Sequence, residues 1–238
     1  MATSVRVEVQ APSASITLHG EEGNVLTSPT FSELARTLRE LASDRTLRVL
    51  RLQAAGPDFS LGRRGAAAGK GAEAFQEEFR LVQACNEALA EFPGITVAAV
   101  QGRAFGAGLS LAGRCDVVLA AEDARLSFPE IPQGIAPTIV LSYFGKKLPA
   151  KPLIHMLLTG REIDANEAQR VGLVSEVVPA SELGERSEAF CTHVAHLDEH
   201  VLRLCKGFLG SLERMTGEDA AAYGIALLSI AMERKEQG

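Results

Sequence analysis

The feature that most constrains this chain is the apolar run at residues 95–100 (ITVAAV), followed after a glycine-rich turn by a second run at residues 117–121 (VVLAA). Successive Cβ atoms of a strand point to opposite faces, so a strand with one wet face alternates apolar and polar residues. A strand that is apolar at every position has to be covered on both faces.

The rest of the first half contains the pieces that do the covering. Residues 5–9 (VRVEV) and 14–18 (ASITL) alternate on either side of a Pro-Ser turn and read as a hairpin. Residues 30–42 place Phe31, Leu34, Leu38 and Leu41 on one helical stripe, and Thr30 with Glu33 has the spacing of a capping box. Residues 48–52 (RVLRL) read as a strand, and residues 54–71 as irregular. Phe75, Phe79, Val82, Leu89 and Phe92 outline a second long helix that ends at Pro93-Gly94. Beyond Pro137 the pattern turns mainly helical. Asp164 and Glu167 cap a helix that stops near Gly172, and residues 174–178 form a short strand closed by Pro179. From Ser181 onward only helices are expected, including an Ala/Leu-rich stripe at residues 220–232. Strands with crossover helices, followed by helices alone, give an α/β core (residues 1–180) and a C-terminal helical region (residues 181–238).

Composition enters as a set of exclusions. With 238 residues, 46% of them hydrophobic, the chain can bury one sizeable core. A net charge of -6 argues against a nucleic-acid partner, because such binding relies on a basic surface to displace counterions. No apolar run reaches the ~18–20 residues of a membrane span, and the first residues lack the apolar stretch of a secretory signal. A cytoplasmic protein is expected. Cys85, Cys115, Cys191 and Cys205 form no CxxC pair and are read as reduced thiols. His196 and His200 stand four residues apart on a helix without an evident third ligand, so no metal site is assigned.

Two glycine-rich segments follow strands: residues 57–64 (PDFSLGRR) and residues 101–109 (QGRAFGAGL). A strand-to-helix turn leaves the first helical N–H groups unpaired, and such donors suit a phosphate or an oxyanion. Neither segment is a P-loop, and Gly102, Gly106 and Gly108 do not make a GxGxxG fingerprint. Taken singly, each is better read as a tight turn and close helix packing.

Together with their surroundings they are specific. The stretch AAVQGRAFGAGLSLAGRCDVVLAAEDARLSFPEIPQGIAP, the later LLTGREIDANEAQRVGLVSEVVP, and the upstream ASITLHGEEGNVL and VLRLQAAGPDFSLG resemble the crotonase (enoyl-CoA hydratase/isomerase) superfamily. The resemblance covers the chain up to about Pro179 and weakens in the final helices. It implies an α/β, ClpP-like spiral of ββα units, with a C-terminal helical region that builds a homotrimer or hexamer. It also implies an acyl-CoA substrate, with coenzyme A arriving as part of that substrate and no tightly bound cofactor.

In this family two backbone N–H groups hold the thioester oxygen as an enolate develops. The matching positions here are Arg63, after Gly62, and Ala107, between Gly106 and Gly108. Main-chain donors tolerate Arg or Ala at these positions. The Arg63 side chain is left with three readings: solvent, a phosphate, or a narrowing of the acyl pocket. Hydratases of the family position water with two glutamates. The first position is here Ser110, and the second is Glu130 in Phe128-Pro129-Glu130-Ile131. A single carboxylate suffices to carry a proton between two carbons of an enolate, whereas a serine hydroxyl is a poor base near neutral pH. The resemblance therefore points to double-bond isomerisation by Glu130. Hydration with help from Ser110, decarboxylation or dehydration of a specialised thioester, and a catalytically weak binding subunit stand as alternatives.

Residues 45–70 carry six basic side chains against one acid, Asp58, within an acidic chain. Arg63, Arg64 and Lys70 are the candidates for the phosphates of coenzyme A. Phe75, Phe79, Phe105, Ile135, Ile139 and Tyr143 are candidates for the acyl pocket, although core packing is the better default for such residues.

Overall fold

The computed structural model describes residues 3–65, 71–212 and 214–237. The chain opens with an antiparallel hairpin, β1 (Ser4–Gln10) and β2 (Ser13–His19), followed by α1 (Ser28–Ser43), β3 (Val49–Ala54) and α2 (Ala72–Ala90). Then come β4 (Ile95–Val100), β5 (Arg103–Phe105), α3 (Ala107–Arg114), β6 (Val117–Ala121) and β7 (Arg125–Ser127). A 3-10 turn at Ile131–Gln133 leads to α4 (Thr138–Phe144), α5 (Ala150–Thr159), β8 (Ile163–Asp164), α6 (Ala165–Arg170) and β9 (Glu176–Val178). The helices α7 (Leu183–Ala195), α8 (Glu199–Leu212) and α9 (Gly217–Gln237) complete the chain.

Six strands form one sheet in the order β1-β2-β3-β4-β6-β9, parallel throughout except for the opening hairpin. Three short strands form a second sheet, β5-β7-β8. The uninterrupted apolar runs have the expected cause. Ala98, Val100, Val118 and Ala120 face a core shared with α1, α2 and α3. Val97, Ala99, Leu119 and Ala121 face the other way, against Leu183, Cys191 and Val194 of α7. The first helix of the C-terminal region thus forms a layer of the main sheet.

Of the two expected helix caps, one shifts. Helix α1 begins at Ser28-Pro29, because proline favours the first helical turn, and Thr27 is the N-cap. Thr30 therefore lies inside the helix and donates to the Thr3 carbonyl instead of forming a capping box. Asp164 does cap α6, accepting from Glu167 N–H at 2.7 Å.

Candidate active site

The two glycine-rich segments, far apart in sequence, lie side by side. Phe59 N–H donates to the Gln101 carbonyl (3.0 Å), Ser60 N–H to that of Arg103 (3.1 Å), and Phe105 N–H to that of Ser60 (2.9 Å). Asp58 clamps this seam. Its carboxylate accepts from Arg103 Nε (2.9 Å), Nη2 (2.8 Å) and the backbone N–H (3.0 Å). The Arg103 side chain holds the Asp58 pKa below its ordinary value against the opposing effect of burial. Buried Asn24 braces the same loop, donating to the carbonyls of Ala55 and Asp58.

The seam aims two amides into one space. Gly62 and Gly106 have φ of +96° and +49°, a region side-chain-bearing residues avoid. Three amides beside them are used: Gly62 donates to Ser60 Oγ, Arg64 to the Leu26 carbonyl, and Gly106 to the Ser127 carbonyl. Those of Arg63 and Ala107 find no acceptor among the described residues. Ala107 opens α3, where unpaired N–H groups are intrinsic to a helix start. A Cβ placed on Gly62 would stand 3.0 Å from the Phe105 oxygen and 3.9 Å from Ala107 N, so the two donor segments are in contact.

Both residues line a cavity of about 500 Å³, together with Gly62, Gly106, Ser110, Glu130 and the apolar side chains Leu61, Phe79, Val82, Ile135, Ile139 and Val140. Glu130 is the one carboxylate in that lining among the described residues. It sits between β7 and the 3-10 turn, with Oε1 only 3.1 Å from where a Gly106 Cβ would be. Its Oε2 is buried without a hydrogen-bond partner. Burial raises its pKa, opposed by a bond from its own backbone. Ser110 Oγ, one turn into α3, is likewise buried and unpartnered. The site therefore combines two fixed dipoles for a developing negative charge with one carboxyl group tuned toward neutral pH.

The other candidates fall in different places. Gly108 lies behind the cavity wall, where a Cβ would come within 2.6 Å of Ser60, so it seats α3 on the first loop. Arg64 pairs with exposed Glu22, away from the lining. Lys70 lies outside the described residues. The Arg63 side chain is 17% exposed, paired with Glu78 (3.2 Å) and stacked over Phe79 (4.8 Å), so it forms part of the cavity rim. Phe79, Ile135 and Ile139 reach the cavity; Phe75, Phe105 and Tyr143 are not in its lining. Sequence reasoning missed Asn24, Glu78 and the Asp58–Arg103 clamp. The available signal was Asp58 itself, the one acid in a cationic segment. A larger open groove of about 830 Å³ lies between the hairpin and α7, but its arginines are already partnered, Arg48 by the Ala195 carbonyl and Glu199, Arg51 by Ser187 and Glu188.

The profile of the Enoyl-CoA hydratase/isomerase family matches residues 8–236. The chain belongs to the enoyl-CoA hydratase/isomerase family. A protein of Thermus thermophilus assigned as an enoyl-CoA hydratase is 31% identical over 219 residues, 90% of this chain and 86% of that one. A relative of Mycobacterium tuberculosis, also assigned as an enoyl-CoA hydratase, is 34% identical over 143 residues, so this chain spans 56% of its length. The enoyl-CoA hydratase structure from Mycobacterium smegmatis superposes with a TM-score of 0.91, covering 96% of this chain and 90% of that one at 23% identity. The fold is thus the crotonase fold of the family. Among the described residues, no helix is long and apolar enough to cross a membrane.

Proposed function

We propose that this family member moves the double bond of an enoyl-CoA thioester, with Glu130 as the single proton carrier. The carboxylate of Glu130 takes a proton from C2 of a 3-enoyl chain. The electron pair of that C–H bond forms the C1–C2 double bond of an enolate, and the negative charge falls on the thioester oxygen held by the Arg63 and Ala107 N–H groups. When the enolate collapses, a C2–C3 double bond forms, the former C3–C4 pair takes a proton at C4, and Glu130 is again a carboxylate. The observation that carries this reading is that one carboxylate, half-buried and beside the paired amides, lines the cavity. Coenzyme A would enter as part of the substrate, because the chemistry needs only backbone dipoles and one carboxyl group. Arg64 and Lys70 remain candidates for its phosphates.

A second reading, hydration, is favoured by Ser110 Oγ and Glu130 Oε2, two unpartnered buried oxygens lining one cavity, and by the names of the relatives. Incubation with 3-hexenoyl-CoA and 2-hexenoyl-CoA separates the two. Conversion of the 3-enoyl to the conjugated 2-enoyl thioester is expected; efficient hydration without double-bond movement overturns the proton-shuttle reading.

The chain is further proposed to associate with copies of itself through α8 and α9, which leave Leu209, Ile225, Leu228 and Ile230 more than half exposed.

A further inference from the structure

Beyond the residues that line the cavity, α3 carries a cation, Arg114, that no described residue neutralises. Ala107, Ser110 and Arg114 share one stripe of this helix, since steps of three and four residues return to the same face. Ala107 and Ser110 line the cavity, and Arg114 stands about 6 Å farther along the axis. Helical side chains lean back toward the N-terminus, so the long Arg114 side chain is directed over the turn that carries Ser110. Its guanidinium lies 4.5 Å over the ring of Tyr143, one turn along α4 from the cavity residue Val140.

Half-buried arginines elsewhere in the described chain all have an acid. Arg48 and Arg203 pair with Glu199, Arg51 with Glu188, Arg63 with Glu78 and Arg161 with Glu167. Arg114 is half-buried too, yet it makes no hydrogen bond or ion pair to a described residue, and its Nε is fully buried and unpartnered. The acid that faces Tyr143 from α2, Glu87, accepts instead from Gln83 at 2.7 Å. A buried donor without an acceptor is costly and calls for an explanation. Ser110 Oγ, on the same stripe between the paired amides and the guanidinium, is a second buried group without a partner.

We infer that Arg114 receives the far end of the acyl chain, and that this end carries a carboxylate: the preferred ligand is the thioester of a dicarboxylic acid. The inference rests on the acyl-CoA reading and specifies the acyl group within it. An extended chain of about six to eight carbons, with its thioester oxygen at the Ala107 amide, spans the helical rise from Ala107 toward Arg114. A guanidinium is suited to a terminal carboxylate by its paired in-plane donors, which its stacking on Tyr143 leaves free.

The test is binding rather than turnover, so it does not depend on which reaction the site performs. Hexanedioyl-CoA and octanedioyl-CoA are titrated calorimetrically against hexanoyl-CoA and octanoyl-CoA at physiological salt. The expected result is that at least one dicarboxylic thioester binds about tenfold or more tightly than its monocarboxylic partner. In Arg114→Met that preference falls to less than twofold, and Arg114→Lys restores part of it. Equal or tighter binding of the monocarboxylic chains overturns the inference while leaving the acyl-CoA reading intact. So does a preference that survives in Arg114→Met. If no acyl-CoA of either type binds, the acyl-CoA reading falls and this inference with it. The comparison of chains on the unaltered protein stands even if the Arg114 variants fail to fold.

Discussion

At the scale of single residues, the proposed reagents are backbone groups, and they are tested by removing an N–H rather than a side chain. Ala107 occupies the first position of α3, where proline is well tolerated. Ala107→Pro deletes one of the two proposed oxyanion donors with little demand on the helix, so kcat should fall by ~100- to 1000-fold while the circular dichroism spectrum is unchanged. Arg63→Ala keeps its amide and loses only the contacts to Glu78 and Phe79. Its kcat should fall less than about tenfold, with KM taking the larger share, because a change at the cavity rim affects binding more than the transition state. Glu130 gives a sharper test. Its pKa is raised by burial, so the folded protein favours the protonated form. The folded state therefore gains relative stability below the ordinary carboxylate pKa and loses it as pH rises through the folded value. Glu130→Gln, which stays neutral, should melt at or above the unaltered protein at pH 8, with the difference vanishing near pH 4. Its isomerase activity should drop by ~100-fold or more. The acidic limb of the pH–rate profile of the unaltered protein should lie above the ordinary glutamate range. Unchanged turnover in Glu130→Gln removes this residue from the chemistry.

At the scale of elements, what was legible followed from period and punctuation. The runs at residues 95–100 and 117–121 are apolar throughout because Val97 and Ala98, or Leu119 and Ala120, pack into cores on opposite sides of one sheet. The start of α6 was legible because Asp164 and Glu167 are local, and their hydrogen bond needs no other part of the chain. Replacing Asp164 by alanine should cost ~1 kcal/mol and lower Tm by about 2–4 °C, seen by calorimetry, with turnover preserved. The α1 cap misled because the sequence offers two competing starts, and Pro29 at the earlier one decides it. The site was legible only in part. Arg63, Ala107, Ser110 and Glu130 were reached through ordered motifs, and the cavity does contain all four. The Asp58–Arg103 clamp, the Asn24 brace and the Arg63–Glu78 pair join residues distant in sequence. Neither periodicity nor spacing carries that information, because it is created when β3, β4 and α2 are brought together.

At the scale of the whole molecule, the C-terminal helices divide into one that belongs to the sheet and two that leave it. Helix α7 buries Leu183, Cys191 and Val194 on the main sheet. Helix α8 is tethered by Lys206 Nζ, which donates to Asp116 (2.6 Å) and to the Gly94 carbonyl (2.8 Å), by the pairing of Glu199 with Arg48, and by Leu202 against the second core. Helix α9 packs back on α8, with the rings of Tyr223 and Phe208 5.9 Å apart. Between them Val201, Leu204, Phe208, Leu227 and Leu228 line a shallow apolar groove. Leu228 at this groove, and Leu209, Ile225 and Ile230 elsewhere on the two helices, are 63%, 66%, 68% and 54% exposed. Isolated exposed leucines are ordinary, but an apolar groove between two adjoining helices with further large apolar side chains exposed on them is the mark of a region meant to be covered. The paired amides, Glu130 and Ser110 all come from a single chain, so association at this face would stabilise the protein without supplying the catalytic groups. The double variant Ile225→Glu/Leu228→Glu places two charges in that face. It should shift the sedimentation coefficient of an assembled species to that of a single chain and lower Tm, because a charge buried without a partner is strongly disfavoured. The separated chain should still bind acyl-CoA through its intact cavity. Sedimentation of the unaltered protein as a single chain at micromolar concentration would exclude this face as a contact between copies. It would leave the four exposed residues with another partner to find.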